Sequence, residues 1–238
     1  MKVLAIIPAR GGSKGIKNKN IRLVNRQPLI VHTINFLKNS RLFDRIIVST
    51  DNPAIARMAQ SQNIQIPFMR PKRLSGDLVS TVDVIKHVLS FLENEENYKP
   101  DVIMIFQPTS PIRPTRLIIE ALKRLSTNNA TSVVTVSKVK LHPNSSFRIR
   151  NKKLVPFNKN FQKFSIRQKV EPLYHPNGSL YAFWRNTLVD YDSIYGPRIS
   201  PIVINEPEYN IDIDEPYDLF VTEMTLRYWK KYKNRLTN

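Results

Sequence analysis

Val3-Leu4-Ala5-Ile6-Ile7-Pro8-Ala9-Arg10-Gly11-Gly12-Ser13-Lys14-Gly15 decides the architecture of this 238-residue chain. The apolar run over 3–8 reads as a buried strand, and it opens directly into a loop of three glycines with Arg10 and Lys14, extended by Lys17, Lys19 and Asn20. Glycines let backbone N–H groups approach phosphate oxygens, while Arg and Lys neutralise the charge. The spacing is neither a Walker loop nor a G-x-G-x-x-G fingerprint. Taken alone, the loop implies either a polyphosphate site or a solvated basic turn.

Outward from this loop, strands and helices alternate. A helix is predicted over 28–37, with Leu29, Ile30, Ile34 and Leu37 on one face. A strand follows over 45–49, then a helix over 53–61 capped by Asp51 and begun by Pro53. A short strand is expected at 65–69, and Ser80 with Asp83 forms a capping box for a helix to 93. Residues 101–106 read as strand, 114–125 as helix and 131–136 as strand. This alternation predicts an α/β fold with a mostly parallel sheet in three layers. Residues 139–171 break the rhythm, being basic and poor in apolar runs, and are expected to form an arm inserted into a single domain of 1–238. Strands at 180–184 and 199–204 and a last helix opened by Asp214 and Pro216 complete the pattern.

The chain has no cysteine, which excludes disulfides, thiolate nucleophiles and Cys-based zinc sites. Pro8 and Arg10 interrupt the first apolar run too early for a signal peptide, and no later stretch approaches the ~20 apolar residues of a membrane span. No membrane partner and a cytoplasmic location are therefore expected. The formal net charge of +18 raises a rival reading as a nucleic-acid-binding protein. Its cations are dispersed, however, with denser groups over 138–169 and at Arg227, Lys230, Lys231, Lys233 and Arg235, and no common RNA-module signature is present. Such a surface also steers small anions.

In open α/β sheets, ligands bind beyond the carboxyl ends of the strands. The residues predicted there are Arg10 to Asn20, Ser49 to Asp51, Arg70, Gln107 to Ser110, and Asp212 with Asp214. The two aspartates are two positions apart, so on an extended segment they share a side and can meet one hard cation. Asp214 has a second reading as the cap before Pro216.

The ordered motifs IPARGGSKGIKNKN, RIIVSTD, MRP followed by Leu74, QPTSP, PNGSLY and IDIDEPYDL resemble those of the N-acylneuraminate cytidylyltransferases, or CMP-sialic acid synthetases. The resemblance spans nearly the whole chain and is weakest in the arm. It implies a Rossmann-like nucleotide-diphospho-sugar transferase architecture with a dimerisation arm. It also implies attack of a 2-keto acid sugar's anomeric hydroxyl on the α-phosphorus of CTP, with release of pyrophosphate. By that resemblance Arg10, Lys14 and Lys19, with backbone N–H groups around Gly11, Gly12 and Ser13, hold the triphosphate. Asp212 and Asp214 hold Mg²⁺, and Asp214 joins Arg10 and Lys19 in the catalytic set as a base for the attacking hydroxyl. Asn20, Arg70, Ser80 and Thr81 face the cytosine, although Ser80 also reads as a plain helix cap and Arg70 as an exposed strand-end charge.

The same resemblance gives Gln107, His175, Asn177 and Arg167 to the acid sugar. Arg167, on the arm, would act in the partner subunit's site of a homodimer. The chain departs from the family at His175, where an arginine often precedes Pro-Asn-Gly, and around Asn144-Ser145, where a lysine is expected. His175 reads as a pH-dependent cation for the sugar carboxylate, a neutral hydrogen-bonding group or a packing neighbour of Tyr174. The expected partners are thus CTP, a nonulosonic acid such as sialic or legionaminic acid, and a second copy. A 3-deoxy-manno-octulosonate cytidylyltransferase and a nucleic-acid-binding protein are the alternatives.

Overall fold

A computed structural model describes residues 1–127, 129–159 and 171–236. In chain order the elements are β1 (Val3–Pro8), the small hairpin β2 (Leu23–Val24) and β3 (Gln27–Pro28), α1 (Leu29–Ser40), β4 (Arg45–Ser49) and α2 (Pro53–Ser61). Then come α3 (Thr81–Glu96), β5 (Val102–Ile105), α4 (Leu117–Thr127) and β6 (Ser132–Lys138). The remainder is β7 (Phe147–Arg150), β8 (Lys153–Pro156), β9 (Tyr174–Trp184), α5 (Arg185–Tyr191), β10 (Ile199–Val203), α6 (Pro216–Met224) and α7 (Lys230–Leu236).

The central sheet runs β10-β6-β9-β5-β1-β4. Pairing is parallel for β1 with β4 and β5 and for β6 with β10, while β9 lies antiparallel between β5 and β6. β1 shows why the sheet must be covered twice. Its odd residues Val3, Ala5 and Ile7 pack with Ile34 and Leu37 of α1, Ile55 of α2 and Leu117 and Ala121 of α4. Its even residues Leu4 and Ile6 pack with Ile85, Val88 and Leu92 of α3 on the other face. Successive strand side chains alternate faces, so an apolar run without polar interruptions requires helices on both. Each fully buried Leu or Ile contributes about 1.5–3 kcal/mol, which makes β1 a rigid base for the loop it emits.

Several local expectations are corrected. The cap of α2 is Asn52, whose side chain accepts from the N–H groups of Ala54 (2.8 Å) and Ile55 (3.3 Å), rather than Asp51. Residues 65–69 form no strand; Gln65 makes a single bridge to Ile47. The cap of α6 is Glu215 in a capping box with Asp218, so Asp214 is not consumed as a cap. β9 starts at Tyr174, earlier than expected, and α5 was not foreseen. Boundaries also move: α1 runs to Ser40, α3 to Glu96 and β6 to Lys138, and α4 begins at Leu117. The last helix is interrupted by a π turn over Thr225–Trp229.

Within 139–171 the described part includes the hairpin β7–β8, turned by Asn151 (φ 49°) and Lys152 (φ 60°), the positive-φ pair of a tight two-residue turn.

Candidate active site

At the carboxyl ends of β1 and β5 lies a cleft of about 610 Å³. Arg10, Ser13, Lys14, Gly15, Lys19, Asn20, Arg70, Thr81, Gln107, Asp212 and Asp214 all line it. The loop after β1 is fastened to the end of β4: Ala9 N–H donates to Ser49 O at 2.9 Å, and Gly11 N–H donates to Asp51 Oδ1 at 2.8 Å. Asp51 is therefore an anchor of this loop. The Gly11 N–H is committed to it, which narrows the expected backbone donors to those of Gly12 and Ser13. Asn20, 6% exposed, donates to Arg10 O at 3.0 Å and closes the loop on itself.

A small apolar cluster of Ile16, Val24, Leu29 and Ile213 clamps this loop to the extended segment carrying the two aspartates. Lys19 Nζ adds a polar clamp, donating to Ile213 O (2.7 Å) and Asp214 Oδ1 (3.1 Å). Gly15 sits so close to that segment that a Cβ on it would run into the carbonyl oxygen of Asp214. Ile213 is fully buried between Asp212 and Asp214, and its N–H donates to Thr109 O at 2.8 Å. The two carboxylates consequently share the cleft side. Burial raises the Asp212 carboxyl above the usual range and Asp214 raises it further, opposed by a hydrogen bond from Thr109 and the charge of Lys19.

Arg10 and Lys14 converge on one acid. Asp77 receives Arg10 Nη1 and Lys14 Nζ, each at 2.7 Å, and these cations hold its carboxyl below the usual range, Lys14 most strongly. The sequence concealed Asp77 as a lone acid in a basic stretch.

Arg70 is 6% exposed, which rules out the exposed-charge reading. Its Nε donates to Ser49 Oγ at 3.0 Å and its Nη2 to Ser49 O. Burial pushes the guanidinium down to about 10, while Asp51 pulls it up and Arg10 presses it lower. Ser80 serves as the cap of α3: its Oγ accepts from Asp83 N–H (3.1 Å) and donates to Asp83 Oδ2 (2.7 Å). Thr81, and not Ser80, reaches the cleft lining.

On the opposite wall, Gln107 lines the cleft while its backbone is tied to Gly178 O. Asn177 is buried and turned inward. Its Nδ2 donates to Ser137 Oγ and Asn210 Oδ1, both at 3.0 Å, and its Oδ1 accepts from Ser179 N–H at 3.2 Å, so it braces β9 rather than lining the cleft. His175 is exposed on β9, with Nδ1 3.0 Å from Pro176 O, and also lies outside the cleft lining. Arg167 lies outside the described residues.

Beneath this wall is a residue the sequence reading missed. Arg113 is 6% exposed and donates to Ser179 O (2.9 Å), Thr33 Oγ1 (3.0 Å) and Gln107 O (2.6 Å). The signal was an arginine two residues beyond QPTSP, indistinguishable in sequence from the many surface cations.

The sequence profile of the family described as cytidylyltransferase matches residues 4–232. A CMP-N,N'-diacetyllegionaminic acid synthase of Legionella pneumophila is 34% identical over 225 residues, covering 94% of this chain and 95% of that protein. An N-acylneuraminate cytidylyltransferase of Escherichia coli is 33% identical over 98% of this chain, which spans 53% of that longer protein. Among solved structures, a CMP:2-keto-3-deoxy-manno-octonic acid synthetase complexed with CTP superposes with a TM-score of 0.68 at 16% identity, covering 95% of this chain and 98% of that one, and so shares the fold.

Proposed function

The chain belongs to the cytidylyltransferase family, and on that premise we propose that it transfers the cytidylyl group of CTP to the anomeric hydroxyl of a nonulosonic, sialic-acid-like 2-keto acid sugar. It is a nucleotidyltransferase. The observation that carries the reading is the meeting in one cleft of Arg10, Lys14 and Lys19 with the Asp212 and Asp214 pair. A nucleic-acid-binding role would leave that pair without a use.

In the proposed reaction the hydroxyl oxygen bonds to the α-phosphorus, the bond from that phosphorus to the bridging oxygen breaks, and pyrophosphate leaves. Negative charge grows on the leaving group, so Arg10 and Lys14 would exchange Asp77 for phosphate oxygens and stabilise it in place. Gly12 and Ser13 supply backbone N–H groups that need no reorganisation. Lys19 keeps the aspartate segment against the loop and would offer its remaining N–H to phosphate. Asp214, with Oδ1 held by Lys19, has Oδ2 to accept the hydroxyl proton. Asn20, Arg70 and Thr81 would receive the cytosine, and Gln107 the sugar.

Asp212 and Asp214 fit a magnesium ion. They are hard oxygen donors sharing a side, and the strained Asp212 charge would be relieved by a cation. Among the described residues no cluster of three or more His, Cys, Asp or Glu is present, so phosphate oxygens and water would complete the shell. When bound, such an ion supplies charge neutralisation at the triphosphate.

The arm supports a homodimer as part of the proposal. An isolated two-stranded hairpin is marginal in water, and this one exposes Ile149 (77%) and Leu154 (68%). Among the described residues no helix is long and apolar enough to cross a membrane. Because the reaction consumes CTP, the cytoplasm is its proposed compartment.

The test offers the protein Mg²⁺ and each nucleoside triphosphate against a panel of 2-keto acid sugars, including 3-deoxy-manno-octulosonate, recording pyrophosphate and product mass. Turnover with CTP and a nine-carbon acid is expected. Turnover with the eight-carbon acid alone would install the alternative, and none with any acid in folded protein would defeat the reading.

A further inference from the structure

Arg113 is a buried cation that makes no direct ion pair among the described residues, Asp212 acting on it only through its charge at longer range. Instead it lies against the rings of Phe36 (5.7 Å) and Phe106 (5.5 Å) and spends its donors on three different elements. Thr33 belongs to α1, Gln107 follows β5, and Ser179 belongs to β9. Burying an unpaired charge is costly, and a hydrophobic side chain would fill this space at lower cost if only packing mattered. What a guanidinium adds is a rigid plane of donors that fixes the distances between its acceptors.

Two of those acceptors bracket one gap. Gln107 O orients the peptide from which the Gln107 side chain departs, and Ser179 O lies next to Gly178. A Cβ on Gly178 would stand 2.5 Å from Gln107 Oε1 and 2.7 Å from Ser110 Oγ, so the Gln107 amide is seated directly over that glycine. We propose that Arg113 is the positioning residue of the sugar wall, setting the orientation of Gln107 by fixing the separation of Gln107 and β9. The inference rests on the reading that Gln107 meets the acid sugar. Burial pushes the guanidinium down to about 9, with Asp212 pulling it back up, so it stays charged at neutral pH.

The test is R113K, which replaces the guanidinium fork by a single amine that cannot span three acceptors, with Thr33→Val as a milder second variant that removes one acceptor. For R113K, KM for the acid sugar should rise about tenfold, as for misplacement of a positioning group, while KM for CTP stays within about twofold. T33V should move the same parameter by about twofold to threefold. Equal rises in both KM values, or a lowered melting temperature with both KM values unchanged, would overturn the positioning role. If R113K fails to fold, T33V decides by the same criterion. Hydrogen exchange separates this inference from the reaction. R113K, or T33V in its place, should speed exchange in residues 107–110 and 177–180 but not in 10–20. Unchanged exchange there removes the positioning role, whereas wild-type inactivity with every acid sugar removes the proposed reaction.

Discussion

On the loop side of the cleft the main chain of the loop is what is held: Ala9 N–H donates to Ser49 O, Gly11 N–H to the Asp51 carboxylate, and Arg10 O accepts from Asn20 Nδ2. On the Gln107 side a backbone bond from Gln107 N–H to Gly178 O is joined mainly by side chains that reach distant segments: Arg113 to Ser179, Ser110 Oγ to Asn177 O, Asn177 to Ser137 and Asn210. A loop whose main chain is held keeps its path when its own cationic side chains change, so the loop side suits the ligand part proposed not to vary, the triphosphate. Side-chain fastenings can be retuned one substitution at a time, which suits a wall that must tell one acid sugar from another. The two aspartates sit where the sides meet, tied to the loop through Lys19 and to the QPTSP turn through Ile213 and Thr109.

The largest effect should come from that junction. Asp212→Asn replaces the hard anionic ligand proposed for the metal by a neutral amide and should lower kcat by about 10²–10³-fold. Because burial and Asp214 already oppose the Asp212 charge, the melting temperature should hold or rise. Turnover within about threefold of wild type would remove the junction from the chemistry.

Next, Gly15→Ala tests the backbone frame. The new methyl meets a backbone oxygen of Asp214, which cannot swing away as a side chain can, so the loop must separate from the aspartate segment. A cost of about 1–3 kcal/mol in stability and a rise of about tenfold or more in KM for CTP are expected from such overpacking. Wild-type values by calorimetry and steady-state kinetics would show that the frame is soft.

Gly178→Ala is the counterpart on the adjustable wall. Its φ of +75° strains any L side chain by about 1–2 kcal/mol, and the methyl meets only the movable ends of Gln107 and Ser110. KM for the acid sugar should rise about tenfold with KM for CTP unchanged. A shift in CTP binding instead would erase the distinction between the two sides.

The same division explains what could be read in the sequence. β1 and the helices α1 to α4 follow from patterns carried within a few residues, and the structure has them where those patterns fall. The helix caps were misassigned by one residue twice, because contacts distant in sequence decide them. Asp51 is drawn to Gly11 N–H, leaving Asn52 to cap α2, and Asp214 is held by Lys19 while Glu215 caps α6. Asn177 was read as a sugar contact, but partners 33 and 40 residues earlier or later turn it inward. Arg113 had no local signature, since its burial depends on Thr33 and Ser179, 80 and 66 residues away.

The smallest effect tests how the frame receives its ligand. Asp77 occupies Arg10 and Lys14 with a carboxylate, and these are the two cations proposed for the triphosphate. Competition of this kind must weaken nucleotide binding by whatever the pairs are worth, and solvent-exposed pairs are worth little. Asp77→Asn should therefore tighten CTP binding by only about threefold in equilibrium dialysis with Mg²⁺. The gain should shrink as ionic strength rises, because salt screens the pairs the substitution removes. Weaker CTP binding would show instead that Asp77 holds Arg10 and Lys14 in the geometry the triphosphate needs, so that the loop side depends on the placement of its cations as well as on its main chain.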